Sequence, residues 1–139
     1  MNFMTDPGIC HRALVVEDDP AIRRLVEKLL QRRGIVIETA HDGVQAIGKL
    51  KTGDYSIVVL DLMLPEANGY EVISYMKVSA IRIPVVVVSA VSQQALANLD
   101  FDVVKEVISK PFDVHDFTEK IVALCRQPGT GFSLSRPTG

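Results

Sequence analysis

The chain has 139 residues, with 15 lysines and arginines against 17 acids, a formal charge of -2, and 47% hydrophobic residues against 23% charged. That length and composition suit one globular domain with a sizeable core and exclude disorder of the whole chain. A mildly acidic balance without a long basic run argues against nucleic acid or an anionic membrane as main partner, because both are bound through clustered Lys and Arg.

Residues 1–11 read as an N-terminal extension, with Asp6 and Pro7 where a secretion signal needs its apolar run. The longest apolar run, residues 83–88, is interrupted by Pro84 and too short to span a membrane, so the expected location is cytoplasmic. Strand-like apolar runs recur at residues 13–16, 35–39, 56–60, 85–88 and 106–108, separated by stretches of helical periodicity. After the first run, Ile22, Leu25, Val26, Leu29 and Leu30 form one stripe, with Asp19 as N-cap, Pro20 at the first helical position and Gly34 as terminator. Val44, Ile47 and Leu50, then Val72, Ile73 and Met76, mark two shorter helices, and a brief one is expected around residues 93–99. The last helix has Asp113 as cap and Val114, Phe117, Ile121, Leu124 and Cys125 on one face, before Pro128 and Gly129 stop it. Residues 127–139 have the Pro, Gly, Ser and Thr content of a flexible tail.

Runs such as Val85 to Val88 carry no alternation, which fits strands covered on both faces of a parallel sheet. Five strand and helix units of this kind predict a doubly wound α/β fold. Cys10 and Cys125 lie far apart without metal-ligand spacing and read as free or buried thiols. His11, His41 and His115 read as surface residues, and the arginines of the first helix, Arg23 among them, as a solvated basic face or a face that meets a partner protein.

Open α/β sheets place their sites at the carboxyl ends of strands, and here those ends are polar. Glu17, Asp18 and Asp19 follow the first run, Asp61 the third, Ser89 the fourth, and Ser109 and Lys110 the fifth. If those strands are neighbours, three carboxylates, a hydroxyl and an ammonium converge. Clustered carboxylates repel one another unless a lysine or divalent cation offsets them. Mg2+ suits oxygen ligands and engages phosphoryl oxygens as well. Lys110 and Ser89 would then face a phosphoryl group, and Asp61 would be the nucleophile that forms an acyl phosphate.

Four segments in this order, ALVVEDDPAIRRLV, SIVVLDLMLPEANGYEVI, PVVVVSA and SKPF, resemble the receiver domain of a two-component response regulator, over residues 12–126. The resemblance implies a flavodoxin-like (βα)5 fold with strand order 2-1-3-4-5. It implies that Asp61 accepts phosphate from a histidine kinase or phosphotransfer protein. It further implies that Asp18 and Asp61 bind Mg2+ directly, Glu17 through water and Met63 through its backbone carbonyl. Lys110 and Ser89 would contact phosphoryl oxygens, small Ala90 would leave the phosphate accessible, and the Lys110-Pro111 bond would be cis. Signal would pass to a downstream protein through the fourth helix, fifth strand and fifth helix, with a homodimer on phosphorylation left open. The expected protein is a stand-alone receiver with autodephosphorylation as its self-limiting turnover.

Three departures from the family pattern stand out: Glu17 replaces the usual aspartate, Val107 the switch aromatic, and FDVVKEV the common Gly-Ala pair before the fifth strand. They leave one alternative, a degenerate receiver acting as an unphosphorylated binding module. A phosphatase with an aspartyl nucleophile would need a second acid at Met63, and a flavin module a phosphate-cradling loop where this chain has EDDP.

Overall fold

The computed structural model describes residues 12–64, 66, 68–90 and 93–126. Five strands, β1 (Arg12–Val16), β2 (Val36–Ala40), β3 (Ile57–Leu60), β4 (Val85–Ser89) and β5 (Val104–Ser109), form one parallel sheet of order β2-β1-β3-β4-β5. Between and after them run α1 (Pro20–Gln31), α2 (Gly43–Thr52), α3 (Gly69–Val78), α4 (Gln93–Ala97) and α5 (Val114–Cys125). This is the expected doubly wound fold. The expected extension 1–11, His11 and the tail 127–139 lie outside the described residues.

The unbroken apolar runs divide between two cores. Leu14, Val16, Val58, Leu60, Val85 and Val87 pack with Ala46, Leu50, Val72, Ile73 and Met76 on one face. Ala13, Val15, Ile57, Val59, Val86 and Val88 pack with Val26, Leu30, Phe117 and Ile121 on the other. Successive strand side chains point to opposite faces, so only a strand buried on both sides needs every residue apolar.

The helix ends follow the sequence signals. Asp19 accepts from Ala21 and Ile22 N–H, and Asp113 accepts from Asp116 N–H. Gly34 turns the chain after α1 at φ 82, a conformation open to glycine without the usual clash. Asn68 and Glu71 form a reciprocal capping box on α3.

Other expectations need correction. Leu25 is 41% exposed, because it lies about 100° around α1 from Val26, at the margin of the buried stripe. Val44 and Val114 are also exposed, each in the first turn of its helix and ahead of the first side chain buried in the core, Ala46 and Phe117 respectively. β5 begins at Val104 rather than Glu106: a register shift pairs Val85 with Val104 and Val86 with Glu106, so Lys105 bulges out. The fourth helix stops at Ala97, and Asn98 and Leu99 N–H turn back to the carbonyls three residues earlier. Cys125 is buried and disulfide-bonded rather than a free thiol. His41 and His115 are exposed, as expected.

Candidate functional site

Register sets the site. β1 and β3 pair Val16 with Leu60, so the residues that follow, Glu17 and Asp61, leave the sheet side by side at the point where strand order reverses. Asp61 N–H still donates to the Val16 carbonyl and Glu17 N–H to Ala40. β4 and β5 pair Ser89 with Ser109, and Lys110 N–H donates to the Ser89 carbonyl. Lys110 is thereby placed beside the same strand ends, and the Lys110-Pro111 bond is cis.

The side chains then converge on Asp61. Ser89 Oγ donates to Asp61 Oδ1 at 2.8 Å, and Met63 N–H donates to the same oxygen at 3.0 Å. Lys110 Nζ donates to Asp61 Oδ2 at 3.1 Å and to Glu17 Oε1 at 2.8 Å. Glu17, Asp61 and Ser89 are buried, Asp18 is exposed, and Met63 is 71% exposed. Ligand oxygens of Glu17, Asp18 and Asp61 lie within 4.8 Å of one another. Three carboxylates, two of them buried, form a hard-oxygen donor set that fits a divalent cation.

Burial above all, with the Asp61 charge, raises the Glu17 carboxyl from its ordinary 4.5 to about 7 against the opposing pull of the Lys110 ammonium and the Asp19 N–H. For Lys110, burial disfavours the ammonium, but the bonds and charges of Glu17 and Asp61 outweigh it and the pKa is raised. Lys110 therefore stays charged and holds together two carboxylates that would otherwise repel.

Gly69 opens α3 against this loop, where a Cβ would stand 2.6 Å from Leu62 Cα and 2.7 Å from the Asp61 carbonyl oxygen. Only glycine lets the helix start this close to Asp61.

The structure thus gathers every side chain expected at the site: Glu17, Asp18, Asp61, Ser89 and Lys110. It also adds Arg23, expected on a solvated face, whose Nη1 donates to the Glu17 carbonyl at 2.9 Å and approaches the Asp18 carbonyl at 3.4 Å. A signal existed. Arg23 follows the N-cap Asp19 by four residues, and helical side chains tilt toward the N-terminus of their helix.

Comparison with known proteins agrees with this geometry. The response regulator receiver domain matches residues 13–122. The chain is 33% identical over 118 residues to the transcriptional regulatory protein TcrA of Mycobacterium tuberculosis, covering 84% of this chain and 46% of that protein. It is 30% identical over 118 residues to the cell cycle response regulator CtrA of Brucella ovis, covering 84% and 50%. The chain spans about half the length of these curated relatives. Among solved structures, the response regulator protein TrrA from Thermotoga maritima, in complex with Mg2+ and BeF, superposes with a TM-score of 0.74 at 31% identity, over 82% of this chain and 98% of that one. With its fold, strand-end acids and sequence all in agreement, the chain belongs to the response regulator receiver domain family.

Proposed function

We propose that Asp61 accepts a phosphoryl group from a phosphohistidine of a histidine kinase or phosphotransfer protein, in a reaction that requires Mg2+. The observation that carries this reading is the set of donors on one carboxylate: Ser89 hydroxyl, Met63 N–H and Lys110 ammonium all bond Asp61, with Glu17 and Asp18 beside it.

An Asp61 oxygen attacks phosphorus, the phosphorus–nitrogen bond of the donor breaks, and the imidazole leaves with the electron pair and takes up a proton. The product is an acyl phosphate. Attack by water on phosphorus releases inorganic phosphate and restores the carboxylate. Asp18 and Asp61 would hold Mg2+ directly, with Glu17 through a water and Met63 through its carbonyl, and the ion would neutralise charge on the carboxylates and phosphoryl oxygens. The solved complex of TrrA with Mg2+ and BeF supports Mg2+ as the ion. Lys110, held by Glu17 and Asp61, is placed to pair with a phosphoryl oxygen, and Ser89 to donate to another in place of Asp61 Oδ1.

That exchange moves the end of β4, which is how the proposed signal leaves the site. Its exit is the face of α4, β5 and α5, read by a downstream protein. A groove there is lined by Leu96, Ala97, Phe101, Lys105, Glu106 and Val107, with Phe101 more than half exposed. Val107 is half-buried against the core beneath α4, so any response there is a packing shift rather than an aromatic flip. Among the described residues no helix is long and apolar enough to cross a membrane. The cytoplasm, where such phosphoryl donors act, is the proposed location.

The test is intact mass after incubation with Mg2+ and acetyl phosphate. One added phosphoryl group in the wild type, absent in Asp61→Asn and with EDTA, is the expected result. No gain from acetyl phosphate or from a phosphohistidine donor, where a control receiver labels, would instead leave a binding module that works unphosphorylated.

A further inference from the structure

Arg23 joins the acidic turn to α1 by three bonds to three successive carbonyls. Its backbone N–H takes Asp19 at 2.9 Å, the first acceptor of the helix, while its side chain reaches Glu17 at 2.9 Å and Asp18 at 3.4 Å. We propose that Arg23 is a positioning residue for the divalent-cation site, fixing the backbone from which Glu17 and Asp18 project. This rests on the reading that the site takes Mg2+.

Glu17 and Asp18 are consecutive, and in a strand that ran on they would face opposite sides of the sheet. Both carboxylates reach Asp61 only because the chain bends at Asp18, straight after the last ladder bond from Glu17 N–H. Such a bend leaves the ladder of β1 before the N–H groups of α1 can donate to its carbonyls, and backbone acceptors with no partner there are costly if shielded from water. Arg23 supplies that partner from a rigid helix, and its guanidinium, planar and always charged, reaches both carbonyls from one nitrogen. Meanwhile the carboxylates it carries are crowded: Glu17 is buried beside Asp61 and shares Lys110 with it. An unbraced turn would relax to separate them, and the ion would have to restore the order on binding.

Charge alone predicts the opposite sign. A cation on the same turn repels Mg2+, so removing Arg23 for its charge would tighten binding, whereas removing it as a brace weakens binding. The experiment is a calorimetric Mg2+ titration of the full chain as wild type, Arg23→Ala and Arg23→Lys, with the Mg2+ dependence of acetyl phosphate labelling measured alongside. The expected result for Arg23→Ala is binding about tenfold weaker, the usual scale for loss of a group that orients metal ligands. The Mg2+ needed for half-maximal labelling rises in step, and the rate at saturating Mg2+ stays within about twofold, as for a change in binding rather than in the chemical step. Arg23→Lys keeps the charge but not the guanidinium and falls between the two. It decides the matter alone if Arg23→Ala does not fold, since weaker binding there cannot come from a lost charge. Unchanged or tighter Mg2+ binding, or a lost rate that saturating Mg2+ does not restore, would overturn the proposal. A folded wild type that binds no Mg2+ would overturn the metal site itself, a separate outcome visible before any variant is made.

Discussion

Ser89 and Asp61 leave neighbouring strands, β4 and β3, fully or nearly buried, and are joined by a 2.8 Å hydrogen bond from hydroxyl to carboxylate. The acceptor oxygen also takes Met63 N–H, and the other oxygen takes Lys110. The bond is thus one of three that orient Asp61 and the only one of them from a neutral side chain that can rotate freely toward a new acceptor.

Replacing Ser89 by Ala removes that donor while Asp61 keeps its other two partners. Labelling by acetyl phosphate is expected to continue about a hundredfold more slowly, the lower end of the loss seen when one donor to developing charge is removed. The change in protection at α4 and β5 on phosphorylation should disappear. Time-resolved intact mass and hydrogen exchange read the two effects separately.

Stability of the metal-free protein should depend on pH through Glu17. Its pKa rises from 4.5 unfolded to about 7 folded, so between those values the folded form holds a proton that the unfolded chain has lost. Stability from this group therefore increases as pH falls from above 7 toward 4.5, and is lost as pH rises through 7. Melting curves in EDTA should show the wild type gaining on Glu17→Gln at low pH and falling behind it at pH 8. Parallel curves for the two proteins across the range would contradict this.

Lys110→Met leaves Glu17 and Asp61 facing each other without their shared cation. Because the ammonium is largely shielded from water, the metal-free variant should be less stable by about 2 kcal/mol, short of the loss for a fully buried pair. Mg2+ should recover much of that stability and bind more tightly than to wild type, while phosphoryl transfer falls sharply. Denaturant curves with and without Mg2+ measure the first two effects.

Ala80 offers a control remote from the chemistry. It ends the turn after α3 at φ 54, with Ile81 N–H donating back to the Met76 carbonyl. A side chain is disfavoured in that left-handed conformation, and Ala80→Gly should stabilise by about 1 kcal/mol without altering labelling. A loss of stability by thermal melting would show that the methyl group contributes more than its backbone conformation costs.

Much of the fold and site can be read from the chain because the relevant residues interrupt a pattern. Glu17, Asp61, Ser89 and Lys110 stand out as polar groups ending apolar runs, and Asp19 and Asp113 as caps before helical stripes. Residues whose role depends on a neighbouring element resisted such reading. Arg23 looks like its basic neighbours on α1 until the acidic turn folds over it. Lys105 breaks the β5 pattern because a bulge turns it outward, and Leu25, Val44 and Val114 are apolar at positions the sheet does not cover. Cys125 finds its disulfide through the fold and not through spacing.

The most direct test of the account is to locate the phosphoryl group. Protein labelled with Mg2+ and a phosphohistidine donor is reduced with borohydride, which converts an acyl phosphate of aspartate to homoserine, and is then mapped by peptide mass spectrometry. The account predicts homoserine at position 61 and at no other acid. Reduction at Asp18 or Glu17, or a phosphorylated protein with Asp61 unmodified, would contradict it.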